Sequence, residues 1–344
     1  MQRNKTDLSY CVFGADALLK RLQGFTSEVE GVRRSDDIEN VHRMRVASRR
    51  IRSVLSIFGD AFPRKKLDSW TKQARRMTRA LGAARDTDVQ IEAVEAFLHS
   101  MDDPNAKAGI HRLILRLSQS RCKLQEDVLV SLDSLEKSGV MQDMEQTCRQ
   151  VIVEGRLRQA EATSGYLKGE AFKHIALRLE EFLAYEPYVR QPQFVTQLHE
   201  MRIMAKRLRY TMEVFEPIYN GGLKKHLKIV RDIQELLGTI HDSDVWLTLL
   251  PEFLDAEKKH TKEYFGDTRS FNRLVPGISA LERDREAMRD KVYKEFVKLW
   301  DQLAKEDAWN GLRGILQEHV SAAARIEPEP EKTQQVSDAD SPAE

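Results

Sequence analysis

The chain has 344 residues, 41% hydrophobic and 32% charged, with 7% aromatic. That is enough for one large domain or two smaller ones with real cores, and it argues against a disordered chain. No apolar run approaches the ~18 residues of a membrane span, and the opening MQRNKTDLSY carries no apolar signal region. Cys11, Cys122 and Cys148 have no metal-like spacing, so the sequence predicts a reduced, cytoplasmic protein with no metal site and no cofactor. The formal net charge of +1 conceals strong local bias: residues 326–344 carry a net of −5, and residues 41–85 hold 13 Lys/Arg against Asp60 and Asp68. Distribution of charge, not its total, points to the partner.

Sparse Gly and Pro through the first 320 residues and long charged stretches predict an all-α protein. A first helix is expected from Asp7 to the Gly31 region. Ser35 is read as the N-cap of the next, with Asp36 and Asp37 in its first turn, reaching Phe58. Pro63 suits the first position of a third helix, to about Leu81. Gly82 is read as its end, with a new helix starting near Asp86 or Asp88. Asp102, Asp103 and Pro104 precede a long amphipathic stretch to Lys137, and a further helical series follows Gly139. The last 20 residues, RIEPEPEKTQQVSDADSPAE, are acidic and Pro-containing and are expected to be disordered.

An internal repeat organises this series. VHRMRVASRRIRSVLSIF (41–58) and LHEMRIMAKRLRYTMEVF (198–215), offset by 157, pair His42 with His199, Arg45 with Arg202, Arg50 with Arg207 and Arg52 with Arg209, and Arg49 with Lys206. LGAARDTDV (81–89) matches LGTIHDSDV (237–245) at an offset of 156, which also pairs Lys72 and Arg75 with Lys228 and Arg231. Two halves, about 7–155 and 156–323 within a domain of residues 1–325, are therefore expected as two antiparallel helical bundles related by pseudo-two-fold symmetry, with 326–344 as a tail.

On a helical wheel at about 100° per residue, His42, Arg45, Arg49 and Arg52 form a stripe about 80° wide opposite an apolar face of Met44, Ala47, Ile51, Val54, Leu55 and Phe58. His199, Arg202, Lys206 and Arg209 repeat it. Arg43, Arg50 and Arg207 fall off the stripe and read as solvated. Lys72, Arg75 and Arg79 cluster on the next helix, whereas Glu235 stands opposite Arg79 in the second half. Such stripes are self-repulsive by a few tenths of a kcal/mol per pair, and no acid lies within them. An ordered polyanion would turn the repulsion into charge-assisted hydrogen bonds. One Arg-rich face alone is as readily plain solvated surface; two, each headed by a histidine, argue for an anion site.

Asp86/Asp88 and Asp242/Asp244 read as helix caps rather than a metal pair, because each follows Leu-Gly where a helix should begin. His111, Arg112, Arg116, Arg121 and Lys123, with Arg283, Arg285, Arg289, Lys291 and Lys294, would extend the basic surface. His174 near Arg178 is a further candidate.

These paired segments resemble the CHAD domain (conserved histidine α-helical domain), over about residues 7–323. The resemblance implies two bundles around a basic central channel, and binding of inorganic polyphosphate without catalysis, often at cytoplasmic polyphosphate granules. It places His42, Arg45, Arg49, Arg52, His199, Arg202, Lys206 and Arg209 on the channel wall, with Lys72, Arg75, Lys228 and Arg231 nearby. No strand-rich segment with alternating Glu-x-Glu-x-Lys is found, so the likeness is to a stand-alone member. The alternatives are an RNA- or DNA-binding helical protein, disfavoured because Tyr210 is the only aromatic beside a stripe, and a metal-dependent phosphohydrolase using the Asp pairs. No membrane association is expected.

Overall fold

The computed structural model describes residues 7–35 and 37–324, without the side chains of 320–324. The expectation of a disordered acidic tail lies outside these residues. The described residues form eleven α-helices joined by short turns and 3₁₀ segments, with no strand among them: α1 Leu8–Thr26, α2 Val29–Arg34, α3 Ile38–Ile57, α4 Arg64–His99, α5 Lys107–Lys137, α6 Val140–Leu157, α7 Gly165–Leu183, α8 Val195–Phe215, α9 Lys224–Phe265, α10 Val275–Lys305 and α11 Ala308–Ala324. In the first set α3 packs on α4, α4 on α5, and α1 on both α3 and α6; in the second α8 packs on α9, α9 on α10, and α7 on both α8 and α11. The sets meet where α3 lies against α8, α5 against α10 and α1 against α7. Among the described residues, no helix is long and apolar enough to cross a membrane.

Several helix boundaries differ from the sequence expectation, each for a local reason. The first helix stops at Thr26, and the short α2 closes on Ser35, which is left-handed at φ 56° with its N–H donating to the Gly31 carbonyl. Ser35 is thus the end of one helix rather than the start of the next. Asp37 caps α3, its carboxylate accepting from the Glu39 N–H; Asp36 lies outside the described residues. Pro63 sits just before α4, its carbonyl accepting from Lys66 and Leu67. Most consequentially, Gly82 does not end a helix. α4 runs unbroken for 36 residues and α9 for 42, carrying Gly82 and Gly238 in their interiors. A buried glycine in mid-helix costs roughly 1 kcal/mol against alanine, and neighbouring helices on both sides of α4 make up for it.

The apolar faces of α3 (Met44, Ile51, Val54, Leu55) and α8 (Met201, Leu208, Met212, Phe215) enter one continuous core. Its aromatic knot joins the two sets: the Phe58 and Phe215 rings lie 5.6 Å apart, and Phe13 stacks on Phe215 at 6.1 Å. The Tyr10 hydroxyl donates to the Ile57 carbonyl at 2.7 Å, locking α1 to the end of α3. A second, smaller core at the far end gathers Val94, Ile110 and Leu113 with Trp246, Leu250 and Ile278. There α5 and α10 approach closely: a Cβ on Gly109 would fall 2.1 Å from the Leu274 carbonyl oxygen, and one on Gly277 2.0 Å from that of Ala106. With both ends fixed, the polar edges of α3 and α8 are held side by side.

Candidate functional site

The two cationic stripes meet along the α3–α8 seam. The polar edge of α8 brings Lys206 within electrostatic reach of Arg45 and Arg49 from α3 and of Arg202 one turn away; Asp86 is the carboxylate that faces it. Burial first, and these guanidinium groups next, pull the Lys206 ammonium down to about 7. Arg45 is likewise lowered, by burial and then by Arg49, and Arg202 acts on it from across the seam. Arg52 has Arg75 of α4, Arg49 and Arg207 around it. Arg207, expected to be merely solvated, is therefore part of this assembly; the wheel of α8 alone could not reveal a neighbour on α3. Among the described residues, Arg49, Arg52, Arg202, Lys206 and Arg207 have no carboxylate within ion-pair distance. The Nε atoms of Arg45 and Arg202 are buried without a hydrogen-bond partner.

The stripes are not wholly unrelieved, which corrects the sequence reading at two positions. Asp86 of α4 accepts from Arg45 at 2.8 Å. Arg209 lies 3.6 Å from Glu213 and 4.9 Å over the Tyr210 ring, and Glu213 also takes Arg50 of α3 at 3.1 Å. Arg209 and Arg50 are thus committed to a partly buried bridge between the helices. Arg43 is exposed and pairs with Glu28 at 2.9 Å.

Each predicted histidine heads its stripe and faces the following long helix. The Nδ1 atoms of His199 and His241 (α9) lie 3.0 Å apart, so one Nδ1 carries the proton and donates while the other accepts. Burial lowers both, and Arg202 and Lys206 add to it; His199 also repels the His241 ring, which is taken down to about 4. His42 is lowered by burial and then by Arg85, which stands where His241 stands in the second half. A phosphate oxygen placed here would reverse these shifts by offering the protonated rings an acceptor.

The acidic pairs do not cap helices. Inside an α-helix, residues two apart point to roughly opposite sides, and each pair splits accordingly. Asp86 and Asp242 face the seam, whereas Asp88 accepts from Arg121 of α5 at 2.6 Å and Asp244 from Arg289 of α10. Neither pair can therefore close on one ion. Asp242 is open to solvent yet ringed by protein, with burial raising its carboxyl against the pull of Arg202; Asp86 adds to the rise from across the seam. The two glycines lie beneath the seam: the sites where their Cβ atoms would stand are 3.8 Å and 3.5 Å from the Nε atoms of Arg45 and Arg202, ordinary contact distances.

Lys72, Arg75 and Arg79 on α4, and Lys228 and Arg231 on α9, are exposed. Residues seven apart share a helix face, so Lys72 and Arg79 align with Asp86, Arg75 with Gly82, Lys228 with Asp242 and Arg231 with Gly238. These cations thus continue along the seam side of their helices. Half of the expected outer extension is spent on ion pairs, Arg112 and Arg116 with the buried Glu257, Arg121 with Asp88, Arg285 with Asp284 and Arg289 with Asp244, whereas His111, Lys123, Arg283, Lys291 and Lys294 are exposed. His174 stacks on Phe215 at 6.0 Å and belongs to the core.

The comparisons agree with this architecture. The computed structure is similar to the crystal structure of the CHAD domain from the plant Ricinus communis, with 20% identity, a TM-score of 0.57, and 91% of this chain and 92% of that one covered. It is also similar to PptA from Streptomyces chartreusis, at 14% identity and a TM-score of 0.57, over 84% of this chain and 98% of that one. At those identities the likeness concerns the fold. No curated protein matches the sequence. The family model of the CHAD domain matches residues 16–251, more than half of the sequence, and the chain belongs to that family.

Proposed function

We propose that the protein binds inorganic polyphosphate along a basic trough at the α3–α8 seam and does not turn it over. The observation that carries this reading is the placing of Lys206 against Arg45, Arg49 and Arg202, with Asp86 and Asp242 the carboxylates close to them. Four clustered cations on two helices hold a large electrostatic debt that a flexible chain of phosphates would relieve, each phosphate offering oxygens to forked guanidinium groups. In this reading His42, Arg45, Arg49, Arg52, His199, Arg202 and Lys206 bind directly, and Lys72, Arg75, Arg79, Lys228 and Arg231 extend the track. The matching sequence segments and the like helix neighbours of the two sets support a pseudo-two-fold arrangement around the trough. Binding of this kind would bring the protein to polyphosphate granules in the cytoplasm.

Nucleic acid is the weaker alternative. Base stacking needs an open aromatic face, and Tyr210 is buried beneath Arg209. A phosphohydrolase using the Asp pairs is disfavoured by their split orientation.

The test is titration of long-chain polyphosphate against the native protein and the Arg45→Ala/Arg202→Ala double variant. Native binding should weaken steeply with salt through counterion release, and the double variant should lose most of it. The Arg43→Ala/Arg50→Ala control removes residues already paired to Glu28 and Glu213. Equal losses in both doubles would refute the assignment. RNA that excess polyphosphate fails to displace would favour the nucleic-acid reading. Mg²⁺-dependent phosphate release lost in Asp242→Ala would favour the hydrolase.

A further inference from the structure

We infer that Lys206 is a nucleophilic amine, a modification site at which a small anionic acyl donor, an acyl phosphate, acylates the protein. The assignment needs only the local cluster and does not require polyphosphate to be the natural ligand.

Three features of the seam meet at this side chain. First, Lys206 is partly open to solvent, so a small molecule can reach it. Second, no carboxylate lies within ion-pair distance of its ammonium among the described residues, since the facing Asp86 is spent on Arg45. Third, guanidinium groups approach from both helices, Arg45 and Arg49 from α3 and Arg202 from its own. His199 two turns earlier on the same face of α8, and His241 and Asp242 of α9, complete the charged and titratable surroundings. The same guanidinium groups that disfavour the ammonium would hold a phosphate group beside the amine. Pulled down to about 7, much of the Lys206 amine is unprotonated near neutral pH.

The reaction balances without a further reactant. The Nζ lone pair attacks the carbonyl carbon of the acyl phosphate, a C–N bond forms, and the bond from that carbon to the phosphate oxygen breaks. Phosphate leaves with the electron pair of that bond and takes up the proton that the nitrogen sheds. The product amide cannot take up a proton, so acylation would fix Lys206 as a neutral group and deny an incoming anion the ammonium it would otherwise stabilise beside Arg45, Arg49 and Arg202. A site that responds to acyl-phosphate levels would thereby lose anion affinity.

The size of the effect follows from two opposing factors. At pH 7.5 most of an amine with a pKa near 7 is neutral, against roughly one part in a thousand for an ordinary lysine near 10.4. Intrinsic nucleophilicity falls with pKa at a Brønsted slope of about 0.4–0.5, as measured for thiols. The balance is a net advantage of roughly 10-fold.

The experiment is treatment of the full chain with acetyl phosphate, followed by site-resolved mass spectrometry of the acetylation rate between pH 5.5 and 9. Lys137 and Lys258, exposed and outside the seam, serve as internal references. Lys206 should react about 10-fold faster than either at pH 7.5, with a rate rising through a midpoint near 7. Arg49→Gln should move that midpoint upward and slow the reaction at pH 7, a shift that simple exposure would not produce. A Lys206 rate no higher than the references, or a midpoint unmoved by Arg49→Gln, overturns the inference. Tripolyphosphate should protect Lys206. A fast Lys206 that tripolyphosphate leaves unprotected supports the nucleophile and counts against the anion trough.

Discussion

The Nδ1 atoms of His199 and His241 stand 3.0 Å apart on two helices, with Arg202 and Lys206 acting on both rings and Glu200 opposing them at His199. Burial and then the nearby cations lower both rings, with His199 also repelling His241, which falls to about 4, so the free protein holds the pair neutral. The unfolded chain, with ordinary imidazoles near 6.5, therefore takes up the proton first as pH falls. The resulting penalty is absent above about pH 6.5, grows as pH drops towards 4, and levels off below that. Its full size is about 2 kcal/mol after allowing for partial solvent access. His241→Gln should make the melting temperature less sensitive to pH between 6.5 and 4.5 than in the native protein. Parallel pH profiles of the two would contradict the coupling. Polyphosphate reverses the sign, because it favours the protonated rings, so its affinity should rise as pH falls over the same window.

Asp86→Asn should tighten polyanion binding. The carboxylate takes Arg45 at 2.8 Å and is largely exposed, so its loss frees a guanidinium at small cost to the fold. An exposed pair is worth up to about 1 kcal/mol, which sets the expected gain at roughly two- to five-fold in affinity. Weaker binding in Asp86→Asn, measured by titration at fixed salt, would mean that this carboxylate serves the ligand.

How far the sequence carried the argument depended on whether a property lies along one helix or between two. The stripes of α3 and α8 were legible because a single wheel separates Arg45, Arg49 and Arg52 from Met44, Ile51 and Leu55. The seam partners were not. Arg207 joins Arg52, and Glu213 bridges Arg209 to Arg50, through contacts that no one-helix periodicity encodes. The largest error concerned Gly82 and Gly238. Leu-Gly followed by acids has the local chemistry of a helix end and a new cap. In the fold these glycines lie under Arg45 and Arg202 within unbroken helices, and tertiary packing overrides the local preference.

That placement separates two kinds of helical glycine. A Cβ at position 82 would meet the nearest atom of Arg45 at 3.8 Å, an ordinary contact, so Gly82→Ala should stabilise the protein by about 0.5–1 kcal/mol through helix propensity. Gly109→Ala and Gly277→Ala place the new carbon about 2 Å from a backbone oxygen of the facing helix and must push α5 and α10 apart. Each should cost about 1–3 kcal/mol. Urea unfolding midpoints of the three variants test the contrast, and a destabilised Gly82→Ala would show that Arg45 tolerates no added atom beneath it.

The buried Glu257 of α9, 3% exposed, receives Arg116 at 2.5 Å and Arg112 at 3.4 Å from α5, tying the two sets of helices together away from the seam. The two guanidinium groups are partly solvated, while the carboxylate is not. Removing both partners, as in Arg112→Ala/Arg116→Ala, strands a buried charge and should cost about 3 kcal/mol. Replacing the carboxylate itself, Glu257→Met, removes the desolvated charge and leaves the arginines free to turn to water, so it should cost far less. Chemical denaturation of the two variants decides it. Equal destabilisation would mean that packing around residue 257, rather than the burden of a desolvated carboxylate, sets the stability of this contact.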